Sequence, residues 1–289
     1  MTTGARQPLV RRILIGLDAT GESLAALEVA AQVAARLEAE LAGLFVEDVD
    51  LLRLAALPYA REVGFGGGQG RRLDPATVER QMRGQAAAAR RALAETAERR
   101  HLRWSFRVAR GRVEAELMAA AAESDLVALG KAFRPLTRRA RLGRTARAVA
   151  TGAPAAVLLA ARGPSVPARP GRETILVTYD GSPCAERALM IAARLARAAR
   201  GGFVVFLVDV PGAPAPRREA AEARIARSGV VARYRHVEPA LLPAALQEEH
   251  GTFLVVAEGC LPADEARVQR MIEAVACPVL LIREGGNAE

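Results

Sequence analysis

The chain has 289 residues, 51% of them hydrophobic, 25% charged and only 4% aromatic, which is enough to bury one large core or two of ordinary domain size, built mainly from Ala, Val, Leu and Ile. The formal net charge is +9, but ten basic residues and no acid fall between positions 126 and 172, so the excess is local and a nucleic-acid partner is not expected. Cys184, Cys260 and Cys277 have no CxxC spacing, which argues against a disulfide framework or thiolate metal site and for a reducing, cytoplasmic setting; no segment approaches the ~18 apolar residues of a membrane span, and the first twelve residues lack the apolar core of a signal peptide.

From Arg12, "RILIGLD" runs five apolar or β-prone residues into Asp18. This predicts a strand buried on both faces, followed by a turn in which Thr20, Glu22 and Ser23 supply cap and first-turn chemistry. Apolar positions at i, i+3, i+4 and i+7 then predict a covering helix. A second strand is expected over Ala39 to Val46. A long excursion follows, at about 49–100: an apolar segment "LLRLAALPYAREV", a "GFGGGQG" stretch, and a helix from Pro75 to about Arg99. The Gly-rich stretch does not leave a strand, so it reads as a loop tip rather than a phosphate cradle. The apolar segment reads first as packing on its own domain, with a lid, a partner-facing helix or a membrane-surface helix as alternatives.

Trp104 to Arg110 is expected as a third strand, "EAELMAAAAES" as a helix, and Asp125 to Gly130 as a fourth strand ending at glycine. Next comes "LGKAFRPLTRRARLGRT", Leu129 to Thr145, with Lys131, Arg134, Arg138, Arg139, Arg141 and Arg144 and no acid. A solvated basic face is the ordinary reading of such a run. The alternative is a loop that meets an anion. "AAVLLA" closes this half as a fifth strand, and "RGPSVPARPGR", Arg162 to Arg172, reads as a linker.

"TILVTYDGSPCAERALMIAARLARAA" from Thr174 aligns without a gap on the stretch beginning at Arg12, matching Asp180 to Asp18. The chain is therefore an internal repeat. In the second copy, strands are expected at Gly202 to Val210, Val230 to Val237, Thr252 to Gly259 and "CPVLLIR", with Ser182 and Pro183 opening the first helix. Strand and helix alternate throughout. The expected fold class is α/β, with two doubly wound parallel-sheet domains in tandem: residues 1–163 carrying the helical insertion at about 49–100, and residues 172–289, shortened and degenerate.

These residues resemble the universal stress protein family in its tandem form. The matching stretches are "ILIGLDATGESLAAL" and "ILVTYDGSPCAERAL" at the two openings, "RGRVEAELMAAAAESDLVALG" before the loop, and "LGRTARAVATGAPAAVLL" and "VQRMIEAVACPVLLI" at the two ends. The resemblance implies an adenine nucleotide alpha hydrolase-like fold, halves that pair through their fifth strands, and a cytoplasmic, stress-associated binding module. It leaves open further homodimerisation and an unidentified protein partner. Some members of the family bind ATP or a related adenine nucleotide, with Mg2+ where the ligand is ATP, through a loop of pattern G-x2-G-x9-G-[ST].

Carried over residue by residue, the resemblance implies nucleotide-binding roles for Asp18 and Val46 on the nucleoside side, and for Gly130, Lys131, Gly143, Arg144 and Thr145 on the phosphate side. Phe133 stands at the second glycine position and Arg144 at the Ser/Thr position. The ring threatens the cradle, whereas a guanidinium offers bidentate phosphate contact. The preferred reading keeps an anion site in the first half, with Lys131 and Arg144 turned inward. In the second half Asp180, Gly181, Ser182 and Gly259 form a degenerate counterpart. Glu265 and Ala266 replace the last signature positions, and an acid there repels phosphate.

No catalytic residue is assigned, because none is clearly placed to activate a water; weak ATP hydrolysis or nucleotidyl transfer is the most activity expected. A nucleotide-free scaffold docking partners on residues 51–63 is the alternative function. His101, His236 and His250 lack metal-type spacing and read as surface or capping residues. Cys184, at a helix start, reads as a packed residue whose thiol merits a reactivity test.

Overall fold

In the computed structural model, which describes residues 9–62, 71–130, 132–134, 139–141, 143–160, 173–210, 218–261 and 275–283, strands and helices alternate along the chain. The first half runs β1 (Arg12–Gly16), α1 (Gly21–Leu37), β2 (Glu40–Asp48), α2 (Val49–Ala55), the short pair β3 (Arg61–Glu62) and β4 (Arg71–Arg72), and α3 (Pro75–Glu98). It continues with β5 (Trp104–Gly111), α4 (Val113–Ala122), β6 (Leu126–Gly130), β7 (Ala132–Arg134), β8 (Arg139–Arg141), α5 (Arg144–Gly152) and β9 (Ala156–Ala160). The second half runs β10 (Thr174–Tyr179), α6 (Pro183–Ala199), β11 (Gly202–Val208), α7 (Arg218–Ile225), β12 (Arg233–Val237), α8 (Leu242–Glu248), β13 (Phe253–Ala257) and β14 (Val279–Ile282). The closing helix expected before β14 lies outside the described residues.

Ten strands form one sheet in the order β12-β11-β10-β13-β14-β9-β6-β1-β2-β5. Within each half of this sheet all pairings are parallel, and the halves meet at a single antiparallel pair, β9 with β14; β3–β4 and β7–β8 are separate antiparallel pairs. The register fixes a pseudo-twofold axis. Leu158 pairs with Ala128, which pairs with Ile15, while Leu280 pairs with Val255, which pairs with Val177. Ile15 and Val177 are repeat equivalents, so Leu158 and Leu280 are equivalent too, and they sit directly opposite one another across the junction. The strands around this axis are sealed on both faces: every residue of β9 and β14 is buried, as expected of a sheet sandwiched between helices. Helices α1 and α6 pack together across the same axis, flanked by the ion pairs Arg36–Glu173 (2.6 Å) and Arg194–Glu38 (3.0 Å).

Several boundaries differ from those expected. β2 extends past Val46 to Asp48, whose side chain accepts from the Asp50 N–H and so starts α2 at Val49, ahead of the apolar segment that suggested it. α2 packs inward through Ala55 but leaves Leu51 and Leu54 exposed, as is Tyr59 just beyond the helix. α3 buries Val78, Met82, Ala89 and Leu93, and its C-terminal end is tied to α1 through Glu28, which takes Arg99 at 2.6 Å, Arg100 at 2.9 Å and the Thr96 hydroxyl at 3.3 Å. Burial raises the Glu28 carboxyl, but the Arg100 hydrogen bond and the charges of Arg99 and Arg100, with Thr96, outweigh it and leave the group below its ordinary 4.5. β12 starts at Arg233 rather than Val230. β13 ends at Ala257, two residues before Gly259, because a 3-10 turn over Glu258–Cys260 takes the chain out of the sheet.

Candidate functional site

In the first half the sheet order reverses between β1 and β6, since the chain moves from β1 outward to β2 and β5, then returns to β6 and β9 on the other side. Loops leaving neighbouring strands in opposite directions open a crevice at their carboxyl ends. A cleft of ≈ 620 Å³ lies there, within the ~300–1,000 Å³ usual for small-molecule sites.

Five of the residues singled out in the sequence meet in this cleft: Asp18 after β1, Val46 in β2, Gly130 at the end of β6, and Gly143 and Thr145 at the start of α5. Lys131 lies outside the described residues, and nothing is described of the Arg144 side chain. The backbone between Gly130 and Gly143 contains a hairpin not anticipated from sequence, in which Phe133 pairs with Ala140 in the β7–β8 ladder; the side chains of that hairpin are likewise outside the description.

Each member is held by local rules. The Asp18 Oδ1 accepts from the Thr20 N–H (3.0 Å) and hydroxyl (2.6 Å), and the Thr20 hydroxyl caps α1 by accepting from the Ser23 N–H. The other carboxylate oxygen, Oδ2, has no hydrogen-bond partner among the described residues, and Asp18 is exposed. At Gly130 a side chain is sterically barred, since a Cβ would stand 2.8 Å from the Glu22 carbonyl oxygen. The glycine is thus required by the approach of α1, whatever the ligand. Gly143 is the N-cap of α5, in extended conformation (φ −62°, ψ 163°), with no side-chain cap and open space where a Cβ would go. The first intrahelical bond is Arg147 N–H to Gly143 C=O, so the N–H groups of Arg144, Thr145 and Ala146 have no intrahelical acceptor. Uncapped N–H groups at the positive end of a helix dipole suit an anion.

The opposite wall has the contrary sign. On that side stand Asp18 after β1, Asp48 at the end of β2 and Asp50 in α2; Glu22, beside Gly130, and Glu114 of α4 line the cleft as well, and Arg112 is the one described cation in its lining, paired with Asp50 at 3.4 Å. Such a wall accepts hydrogen bonds from hydroxyl and amino groups and repels phosphate. A ligand that fits both ends carries donors at one end and negative charge at the other. Sequence reading missed Asp48, although a carboxylate at the end of a second parallel strand was a readable signal. Arg112 and Glu114 come in with α4, and only the fold brings them there.

The second half is built differently at the equivalent place. The strand register makes Ala257, not Gly259, the counterpart of Gly130, which corrects the sequence match. Gly259 nevertheless reaches Asp180, because the 3-10 turn folds back: a Cβ on Gly259 would lie 2.6 Å from the Asp180 Oδ2. The Asp180 Oδ1 holds the Ser182 N–H (2.9 Å) and hydroxyl (2.6 Å), Gly181 supplies the left-handed turn (φ 82°), and Asp180 is only 1% exposed. Cys260 is buried alongside. Burial above all pushes its thiol upward; the Thr178 hydroxyl opposes this, while the Asp180 carboxylate adds to it. Asp180, Gly181, Ser182 and Gly259 therefore come together, but around a sealed carboxylate. Glu265 and Ala266 lie outside the described residues. Cys184 is packed, its thiol 3.1 Å from the Ile282 carbonyl, and the described residues contain no group of three His, Cys, Asp or Glu side chains able to hold a metal. His101 and His250 take left-handed conformations just past helix ends (φ 52° and 48°). No described helix is long and apolar enough to cross a membrane.

Comparison with known proteins agrees with this architecture. The sequence profile of the universal stress protein family matches residues 171–274. Among solved structures, a universal stress protein from Archaeoglobus fulgidus DSM 4304 superposes with a TM-score of 0.67 at 17% identity, covering 97% of this chain and 100% of that one. A functionally unknown protein from Pseudomonas aeruginosa PAO1 gives 0.59 at 18% identity over 95% of this chain and 92% of that one. The cytoplasmic domain of a prokaryotic cation chloride cotransporter gives 0.51 at 13% identity over 96% and 97%, so the same fold is found in proteins of other kinds. No curated protein matches the sequence. By sequence, residues 171–274 match the universal stress protein family, and by fold the whole chain is similar to a solved universal stress protein.

Proposed function

We propose that the cleft of the first half binds an adenine nucleotide, and that the protein works as a regulatory binding module of the stress response rather than as an efficient catalyst. The nucleoside would lie against Asp18, Val46 and Asp48, and the phosphates on the N–H groups that open α5, aided by the cations of the preceding loop. If the ligand is ATP, a Mg2+ ion bound with it would offset part of the phosphate charge beside the acids of the cleft. A cytoplasmic location fits such a role.

The observation that carries this reading is the polarity of one cleft: hydrogen-bond acceptors on the β1 and β2 side, and an uncapped helix amino end on the other. The sealed Asp180 supports restricting the ligand to the first half. Equilibrium dialysis with labelled ATP and Mg2+ tests the proposal. Retention should fall on Asp18→Ala and stay unchanged on Ser182→Ala, while no retention at millimolar ligand by folded protein removes it.

A second reading, a scaffold that acts through protein contacts, is favoured by one observation: Leu51, Leu54 and Tyr59 are 40%, 49% and 77% exposed on the inserted segment. Replacing both leucines with serine should then abolish partner capture and leave nucleotide affinity unchanged.

A further inference from the structure

We propose that Arg283, a residue of the second half, is a positioning residue for the anion site of the first. This inference rests on the reading that phosphate sits at the start of α5, and it assigns to the second half a task at that site.

α5 has nine residues and two weak ends. Its amino end opens on the cleft with no side-chain cap, and its last turn contains no basic residue of its own. Two carbonyls at its carboxyl end, those of Thr151 and the cap residue Ala153, are satisfied from outside. Arg283 Nη1 donates to the Ala153 C=O at 2.6 Å, and Nη2 donates to the Thr151 C=O at 2.9 Å. Nη2 is also paired with Glu258 Oε1 at 3.2 Å, and the Arg283 side chain is only 17% exposed. A planar guanidinium held by three groups has little freedom left.

Both ends of that clamp are fixed to the second half. Arg283 follows β14 directly, and Glu258 follows β13 directly. The two strands pair with each other, and β14 pairs with β9 across the junction. The carboxyl end of α5 is therefore held against strands of the other half, while its amino end presents N–H groups to the cleft. A helix of nine residues is a rigid rod roughly 13 Å long. If its far end drifts or frays, the donors facing the ligand move with it, and hydrogen bonds weaken steeply with misalignment. The guanidinium also sits at the negative end of the helix dipole, which favours the folded last turn.

The test uses the full-length chain carrying Arg283→Met, Arg283→Lys or, as a control, Val205→Ala, a buried position in β11 away from the junction. Hydrogen exchange over residues 147–152 reports the helix, calorimetric titration with ATP and Mg2+ reports the site, and urea unfolding reports the fold. Arg283→Met should speed exchange in α5 and weaken ATP binding roughly tenfold, the scale of losing hydrogen bonds to a charged group. Arg283→Lys should recover part of both, since an ammonium keeps the charge but cannot fork two carbonyls. Val205→Ala should lower the urea midpoint and change neither exchange in α5 nor affinity. Unchanged exchange or unchanged affinity in folded Arg283→Met overturns the inference, and if that variant does not fold, the same outcome in Arg283→Lys does so. A wild-type chain that binds no ATP removes the proposed function and the affinity claim together, whereas a wild type that binds normally beside an unaffected Arg283→Met removes only this inference.

Discussion

Gly143→Asp should make the protein more stable and a poorer ligand binder at once. Gly143 occupies the N-cap of α5 in extended conformation, with no atom within 4 Å of a prospective Cβ, so an aspartate fits without strain. Its carboxylate can accept from the Thr145 or Ala146 N–H, which improves on glycine by a few tenths of a kcal/mol, and its charge at the positive end of the dipole adds roughly 0.3–1 kcal/mol. The two effects overlap, and together they come to about 0.5–1 kcal/mol. The ligand experiences the reverse. A carboxylate about 4 Å from a phosphate costs ~1 kcal/mol per unit charge at the dielectric of water and ~4 kcal/mol at an effective value of 20. A group with two negative charges should therefore bind at least about tenfold more weakly. Gly143→Asn separates the contributions, because it caps the helix without the charge and should cost less affinity. Urea unfolding gives the stability change and calorimetry with ATP and Mg2+ gives the affinity. A stability gain with unchanged affinity in Gly143→Asp would refute the reasoning, since the anion would then lie elsewhere than the start of α5.

Three further outcomes are expected. Ala19, in the turn after Asp18, has φ 59°, where the second half has Gly181; Ala19→Gly should relieve left-handed strain and raise stability by about 0.5–1 kcal/mol after the entropy gained by the unfolded chain, measured by urea unfolding. All three cysteines are buried, and burial moves the Cys260 thiol upward, so a disulfide reagent such as DTNB should find no fast-reacting thiol in the native protein at neutral pH and three after denaturation; a rapid native burst would contradict the packing. Glu28 is held below its ordinary value in the folded chain, so its contribution is present above the unfolded value of 4.5 and lost as pH falls through the lower folded value. Glu28→Gln should cost about 1 kcal/mol at pH 7, a figure discounted for a side chain 45% exposed. That gap should close in acid once the carboxylate is protonated, as followed by urea midpoints at several pH values.

Much of the fold could be read from the residues in order. The buried runs ending at Asp18 and Asp180 and the helical spacing after them are local signals, and two gapless copies reinforce each other, so the alternation of strand and helix was legible. Gly259 shows where such reading stops: a Thr-Phe-Leu-Val-Val-Ala-Glu-Gly run looks like a strand ending at glycine, but only pairing with β10 and β14 shows that the ladder closes at Ala257. The hairpin after Gly130 was hidden because three-residue strands leave no usable period.

Composition and periodicity alone determined that this chain would form α/β layers in two repeated parts, because burial of alternating apolar runs is a property of each segment. Only the tertiary structure decided which carboxylate stays open. Asp18 and Asp180 head the same motif, and one lines an open cleft while the other is enclosed by Gly259 and Cys260. The difference comes from a chain reversal about eighty residues downstream of Asp180, and desolvation depends on everything that packs around a group rather than on its neighbours in sequence.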